Sequence, residues 1–176
     1  IRGVNPEKFT AAVFKIEGSK AEVENQRENL RTLSKKHEGV LAGESTGKSG
    51  YLATMVIAYI RELIFTQNVL GETMETAVPW SKINQVKSEA HKLIKQLHKE
   101  NNLPGKPFFT SRISKIYHTG VCMYNTIAMS FEGIENPEDV FTNIEHKMRE
   151  NFIQNGGSIS HHHGVGKLRK DFMQDT

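Results

Sequence analysis

Two segments of the chain have the 3.6-residue spacing of apolar side chains that is typical of amphipathic helices. The first follows Pro79-Trp80, with Ser81 as its predicted cap, and the second spans 137–154, where Asn155-Gly156-Gly157 ends it. Their apolar stripes are Ile83, Val86, Ala90, Leu93, Ile94 and Leu97 in the first helix, and Val140, Phe141, Ile144, Met148 and Phe152 in the second. We expect both stripes to pack against a sheet.

Strands are predicted where short runs of apolar and β-branched residues lie between turn residues. Such runs span 9–16, 69–78, 108–117 and 120–131. Between the first two runs we predict a helix over 20–37 with a Ser19/Glu22 capping box, a loop over 43–50 and a mostly helical segment over 51–65. Paired strands interleaved with helices indicate an α+β fold, an antiparallel β-sheet with helices on one face.

The composition narrows the class of protein. With 176 residues, 37% of them apolar and 24% charged, the chain has the size and composition of one globular domain, and we predict a single domain over 1–176. The net charge of +3 is dispersed, so we expect no nucleic acid partner. The longest apolar run, 55–59, is far short of the roughly 20 residues of a membrane span.

The cysteine content and the first residue of the chain lead to two expectations, one about disulfides and one about the length of the gene product. Cys122 is the single cysteine, so no internal disulfide can form. The sequence opens on Ile1 rather than Met and carries no signal-peptide pattern. We therefore expect this chain to be a fragment of a longer product.

The run GESTGKS, from Gly43 to Ser49, is similar to a phosphate-binding P-loop but is one residue short. That motif needs four residues between its glycines so that successive backbone N–H groups surround the phosphates, and this run has three. Residues 40–42 also form a poor strand before it. We therefore predict a solvated glycine loop rather than a nucleotide site.

Three adjacent histidines, His161, His162 and His163, lie between glycines near the end of the chain. A tag would be terminal and longer, so the run belongs to the protein. In an extended segment His161 and His163 would share one face and His162 would point away, which is awkward for one metal ion bound by all three. We predict acid/base and hydrogen-bonding work and no metal. Two of the histidines with a distant carboxylate remain the metal-binding alternative.

Two further residues allow a functional and a structural interpretation. Arg61 follows an apolar run and could pair with Glu62 or Glu72 at a helix surface, or point into a cavity and bind a phosphate or carboxylate. Tyr124 is placed by strand alternation on one face with Cys122, Thr126 and Ala128. It is either a core residue with a satisfied hydroxyl or an acid/base group.

The run NGGSISHHHGVGKLRKDFM closely resembles the histidine motif of the alkyldihydroxyacetonephosphate synthase family, a branch of the FAD-linked, vanillyl-alcohol-oxidase-like flavoproteins. The runs GYLATMVIAYIREL, VLGETMETAVPW and GVCMYN fall in order at that family's spacing. More loosely, 157–166 is similar to the His-Gly-x-Gly segment of glycolate and D-lactate dehydrogenases. Those enzymes usually carry Glu-His where this chain has His161-His162.

The resemblance implies a substrate-binding cap domain that lies over a flavin, with most of the FAD held by a separate N-terminal domain absent from this chain. The implied transferase exchanges the acyl chain of acyl-dihydroxyacetone phosphate for a fatty alcohol through a flavin N5 adduct, a step of ether-lipid synthesis. A homodimer, a peroxisomal location and association with a membrane surface are further implications. By itself this chain is expected to be inactive.

Site residues carried over from the resemblance are Tyr124 as an acid/base group, Arg61 for substrate binding, and His161, His162 and His163 for polarising substrate oxygens and assisting proton transfer. The alternatives are an FAD-linked 2-hydroxy-acid dehydrogenase and a non-catalytic interaction module. The chain departs from the family where Tyr117-His118-Thr119-Gly120 replaces Tyr-Asp-x-Gly, and where Thr126 and Ile127 replace aromatic residues. These changes leave the shape of the alkyl-chain tunnel open.

Overall fold

The computed structural model describes residues 10–175, with the side chains at 57, 58 and 175 left aside. The described residues form two compact units, one up to Tyr59 and the other from Ile60 onward. The single substrate-binding domain over 1–176 stays a prediction.

In the first unit, helix α1 spans Lys20–Lys36 and begins as predicted. The Ser19 hydroxyl accepts from the Glu22 backbone N–H, while the Glu22 carboxylate accepts from the Ser19 backbone N–H at 2.8 Å. The strand predicted over 9–16 is wrong for residues 10–16, which have no regular structure and are mostly exposed, and Phe9 lies outside the described residues. The described sheet is built entirely from later residues, so this run has no strand to pair with there.

The predicted loop over 43–50 is also wrong, because helix α2 spans Glu44–Ala53. Gly43, at the N-cap, adopts a φ of 86°, which glycine tolerates easily, and the chain then enters the helix directly. A short 3-10 turn, Thr54–Val56, separates α2 from helix α3, Ile57–Phe65. The helical prediction for 51–65 is therefore confirmed with a break in its middle.

The second unit contains an antiparallel sheet of three strands in the order β1-β3-β2. The strands are β1 (Val69–Pro79), β2 (Phe108–Ile116) and β3 (Gly120–Ser130). Tyr124 on the central strand lies opposite Glu75 on β1 and opposite Arg112 on β2. This register brings three side chains from distant parts of the sequence to one face of the sheet.

Two helices and one face of the sheet enclose the core. Helix α4 spans Ile83–Glu100 and helix α5 spans Pro137–Gln154. The core residues with the least exposure are Met74, Val86, Ala90, Ile94, Leu97, Val121, Met123, Ile127, Ile144, Met148 and Phe152. The predicted α+β class and both apolar stripes are confirmed, but Ser81 does not cap α4. It lies in a 3-10 turn, Trp80–Lys82, that precedes the helix.

The segment after α5 is attached to β1 by Gly157 and Ser158. A Cβ atom at Gly157 would lie 2.8 Å from the Phe152 carbonyl oxygen, so the close approach requires glycine. The Ser158 N–H donates to the Ala77 carbonyl at 2.9 Å, and the Ala77 N–H donates to the Ser158 hydroxyl at 2.9 Å. A short helix α6, Gly166–Arg169, and a 3-10 turn, Lys170–Asp175, follow. Among the described helices, none combines the length and the apolar character that a membrane crossing requires.

We expect Ile144→Ala to lower the free energy of unfolding by about 2–5 kcal/mol, because Ile144 is fully buried between the helices and the sheet. The same change at Ile116, which is 69% exposed at the end of β2, should cost less than about 1 kcal/mol. Urea unfolding of both variants measures the difference. Equal losses would contradict the placement of the core.

Candidate active site

The centre of the site is the buried carboxylate of Glu75, on the face of β1 that looks away from the core. Its Oε1 atom accepts three hydrogen bonds, from the Ser160 hydroxyl at 2.9 Å and from the backbone N–H groups of His162 and His163 at 3.0 and 2.9 Å. Its Oε2 atom is buried without a hydrogen-bond partner and lies 3.8 Å from Nδ1 of His162. Glu75 therefore holds the histidine segment, residues 160–163, against the sheet.

The charge of Glu75 is stabilised by the same contacts. Burial raises the pKa of this carboxyl, but hydrogen bonds from the backbone of the histidine segment and from the Ser160 hydroxyl outweigh burial and lower the pKa to about 2. Backbone N–H groups that converge on one oxygen are a common way to stabilise an anion inside a protein. Glu75 is therefore negatively charged throughout the neutral range.

The three histidine rings lie together because the chain bends around Glu75. The His161 and His162 ring centroids are 5.2 Å apart, and the His162 and His163 centroids are 4.6 Å apart. The prediction that His162 points away from its neighbours assumed an extended segment and is wrong. Nδ1 of His161 lies 3.0 Å from Nδ1 of His162, and Nε2 of His161 lies 2.7 Å from the Tyr117 hydroxyl.

The protonation of His163 is shifted by its surroundings. Burial is the largest cause and lowers its pKa, the charges of His162 and Arg169 act in the same direction, and those of Glu75 and Glu72 oppose it. The net effect keeps His163 neutral at a lower pH than a free histidine. A neutral imidazole can accept a proton, which an acid/base role requires.

Tyr124 lies directly beside the histidines. Its ring stacks on His162 with centroids 6.0 Å apart and meets the edge of His163 at 5.4 Å. The guanidinium of Arg112, on β2, lies 4.6 Å from the centroid of the Tyr124 ring and makes a cation–π contact with it. The Tyr124 hydroxyl donates to Thr73 Oγ1 at 3.1 Å. The Tyr124 hydroxyl therefore has a hydrogen-bond partner, as expected for a structural tyrosine. Its ring also lies among titratable side chains, as expected for an acid/base group.

Arg61 forms an ion pair with Glu72 at the surface. Its Nη2 atom is 3.6 Å from Glu72 Oε2, and 71% of its side chain is exposed. The sequence left open an ion pair at a helix surface or a side chain that points into a cavity, and in the described structure Arg61 forms the ion pair. Glu72 also influences the pKa of His163, so the pair of charges lies within electrostatic reach of the histidines.

Sequence reasoning missed Glu75, Arg112 and Arg169. Arg169 is buried, and its Nη1 atom donates to the Gly164 carbonyl at 2.8 Å, which fixes the end of the histidine segment. A signal for Glu75 was present, since alternation along β1 separates Glu75 from its apolar neighbours Met74 and Val78. Linking it to the histidines required the docking of the segment after α5 on β1, through the hydrogen bonds between Ser158 and Ala77, which the sequence does not supply.

Comparison with known proteins identifies the class. Residues 2–176 match the family model "FAD linked oxidases, C-terminal domain". The chain therefore belongs to the FAD-linked oxidases and corresponds to their C-terminal domain.

Two relatives and one solved structure that the chain resembles carry the same name. The chain is 36% identical over 175 residues to an alkyldihydroxyacetonephosphate synthase of Caenorhabditis elegans and 27% identical over 168 residues to one of Dictyostelium discoideum, covering 99% and 94% of this chain. It spans 29% and 27% of those proteins. A solved alkyldihydroxyacetonephosphate synthase structure matches the fold with a TM-score of 0.65 at 21% identity, over 89% of this chain and 28% of the other. The resemblance stated from the sequence is confirmed.

We expect Glu75→Gln to destabilise the protein by about 1–3 kcal/mol at pH 7, because glutamine keeps an acceptor but loses the charge that the N–H groups stabilise. The pKa of Glu75 is about 2 in the folded state and ordinarily 4.5, so this stabilisation is complete above about pH 4.5 and is lost as the pH falls towards 2. Urea unfolding at several pH values should show the variant and the parent converging in acid.

The exposed Glu132 provides the control, because its side chain lies outside the site. Glu132→Gln should leave the free energy of unfolding within about 0.5 kcal/mol of the parent value. A Glu75→Gln penalty that stays constant down to pH 2 would contradict the role given to the charge.

Proposed function

We propose that this chain is the substrate-binding part of an alkyldihydroxyacetonephosphate synthase, which exchanges the acyl chain of acyl-dihydroxyacetone phosphate for a fatty alcohol. The observation that carries the proposal is the grouping of Tyr124 with His161, His162 and His163 around Glu75 in a chain that is 36% identical to a protein of that name. The exchange requires proton transfers at the substrate carbon, at the oxygen of the incoming fatty alcohol and at the oxygen of the departing fatty acid. Four groups able to carry or donate protons form one connected series of ring contacts here, with His162 touching the other three.

In this proposal Tyr124 moves the proton at the substrate carbon, and the histidines polarise the dihydroxyacetone oxygens and carry the remaining protons. His163 is the proposed partner of Tyr124 in proton transfer, since its ring centroid lies 5.4 Å from that of Tyr124 and burial lowers its pKa, which favours the neutral, proton-accepting form. The Arg112 guanidinium lies over the Tyr124 ring and helps to hold that ring beside the histidines. Glu75 acts through the histidines and is a positioning residue.

The proposed cofactor is FAD, held mainly by parts of the full-length protein outside this chain. The residues present suit a reaction beside a flavin, because the His162 side chain is 37% exposed and is therefore accessible to a group held by another part of the protein. When bound, FAD would supply covalent chemistry at the substrate carbon without net oxidation. The side chains of this unit then bind the substrate oxygens and move protons beside the flavin.

Arg61 is proposed to bind the substrate phosphate. Its contact with Glu72 is long, at 3.6 Å, and most of its side chain is exposed, so the guanidinium fork is free to exchange the carboxylate for a phosphate. A homodimer, a peroxisomal location and association with a membrane surface are proposed from the family relationship alone.

The test uses the full-length, FAD-loaded protein with palmitoyl-dihydroxyacetone phosphate and labelled hexadecanol. We expect labelled ether product, and a loss of turnover of at least about 100-fold in Tyr124→Phe and His162→Ala with FAD content unchanged. His118→Gln, at an exposed histidine outside the group, should keep near-parental turnover.

Two results would contradict the proposal. In the first, the FAD-loaded protein forms no ether product and D-lactate bleaches its flavin, as the 2-hydroxy-acid dehydrogenase alternative predicts. The other is release of flavin by Tyr124→Phe or His162→Ala, which would make these residues structural.

A further inference from the structure

Four side chains that commonly bind metal ions converge beneath the histidine segment. Glu75, Cys122, His161 and His162 each place one ligand atom within 4.8 Å of the ligand atoms of the other three. Nδ1 of His162 is the centre of the group, 3.0 Å from Nδ1 of His161, 3.8 Å from Glu75 Oε2 and 4.0 Å from Cys122 Sγ. Around a tetrahedral zinc ion, ligand atoms are about 3.3–3.7 Å apart. Each of these three distances to Nδ1 of His162 is within about half an ångström of that range.

The second observation is the state of the Glu75 carboxylate. Its side chain has no exposed surface, and Oε2 has no hydrogen-bond partner although Oε1 has three. A buried, charged oxygen without a partner is costly, because it has lost its hydration and gained nothing in return. A cation bound between Oε2 and His162 would remove that cost.

The ligands are also supported from behind, as in well-formed metal sites. Nε2 of His161 contacts the Tyr117 hydroxyl at 2.7 Å, and its Nδ1 faces Nδ1 of His162 at 3.0 Å. When Nε2 donates its proton to the Tyr117 oxygen, the Nδ1 lone pair is free to bind a metal ion. Oε1 of Glu75 is fixed by Ser160 and by backbone N–H groups. Cys122 is fully buried on the central strand, and the partly exposed His162 gives an ion access from solvent.

We propose that Glu75, Cys122, His161 and His162 form a binding site for one divalent zinc ion. One thiolate, two imidazoles and one carboxylate are a donor set that suits Zn²⁺ and disfavours Mg²⁺ and Ca²⁺, which select oxygen ligands. Binding forms a Zn–S bond and releases the Cys122 proton to solvent. Glu75 is thus the distant carboxylate that the sequence-based alternative for these histidines requires.

The zinc site does not depend on the proposed synthase activity. Where both hold, zinc occupies His161 and His162, which the reaction needs for proton transfer, and acts as a reversible inhibitor. The binding measurement below has no activity readout, so either proposal can fail without the other.

The test measures zinc affinity of the full-length protein, stripped of metal and titrated against a chromogenic chelator. We expect one tightly bound zinc per chain. X-ray absorption of the complex should give one sulfur neighbour at about 2.3 Å and nitrogen or oxygen neighbours at about 2.0 Å. Glu75→Gln and Cys122→Ala should each weaken binding by at least about tenfold.

His163→Gln is the matched control, because it removes a neighbouring histidine that is not one of the four ligands. Its zinc affinity should stay within about threefold of the parent value. The proposal is overturned by the absence of sulfur from the zinc shell, by unchanged affinity in folded Glu75→Gln, or by equal weakening in His163→Gln. The absorption measurement on the parent protein needs no variant, so a Cys122→Ala chain that fails to fold leaves the test decisive.

Discussion

The hydrogen bonds between the Glu75 carboxylate and the histidine segment connect the sheet to the site. A charge buried on β1 must be compensated, and here the Ser160 hydroxyl and the backbone N–H groups of His162 and His163 provide the compensation. The bend that brings these donors together also brings the three imidazole rings into contact with one another and with Tyr124. The position of the proposed proton-transfer groups therefore follows from the need to satisfy one buried carboxylate.

The sheet presents two chemically different faces, and this division makes the site possible. On β3, Met123 and Ile127 pack under the helices, whereas Cys122 and Tyr124 alternate with them and face the histidines. The core stabilises a rigid support, and the opposite face holds polar side chains at fixed separations. Sites placed on strands keep their geometry better than sites placed on loops, and here the loop is held by the strand.

Much of the fold could be predicted from periodicity, because the helices over 137–154 and after Pro79, and the strands around Tyr124, bury regular stripes. Two predictions were wrong because local composition carries no information about packing. Residues 10–16 have the composition of a strand but no partner in the described sheet, and the glycine-rich run after Gly43 forms a helix instead of a loop. The histidines were found as a motif, but their geometry was not. Their bend depends on Glu75, more than 80 residues earlier, and no local pattern contains that contact.

The pKa of the Glu75 carboxyl is the measurement that tests this account most directly. A pH titration of the Glu75 side-chain carboxyl carbon by carbon-13 NMR reports the protonation of this one group in the folded protein. If the histidine segment is held by the ionised carboxylate, the titration midpoint should fall at about 2. A midpoint near the ordinary value of 4.5 would mean that the backbone N–H groups do not converge on Glu75, and would contradict the central claim.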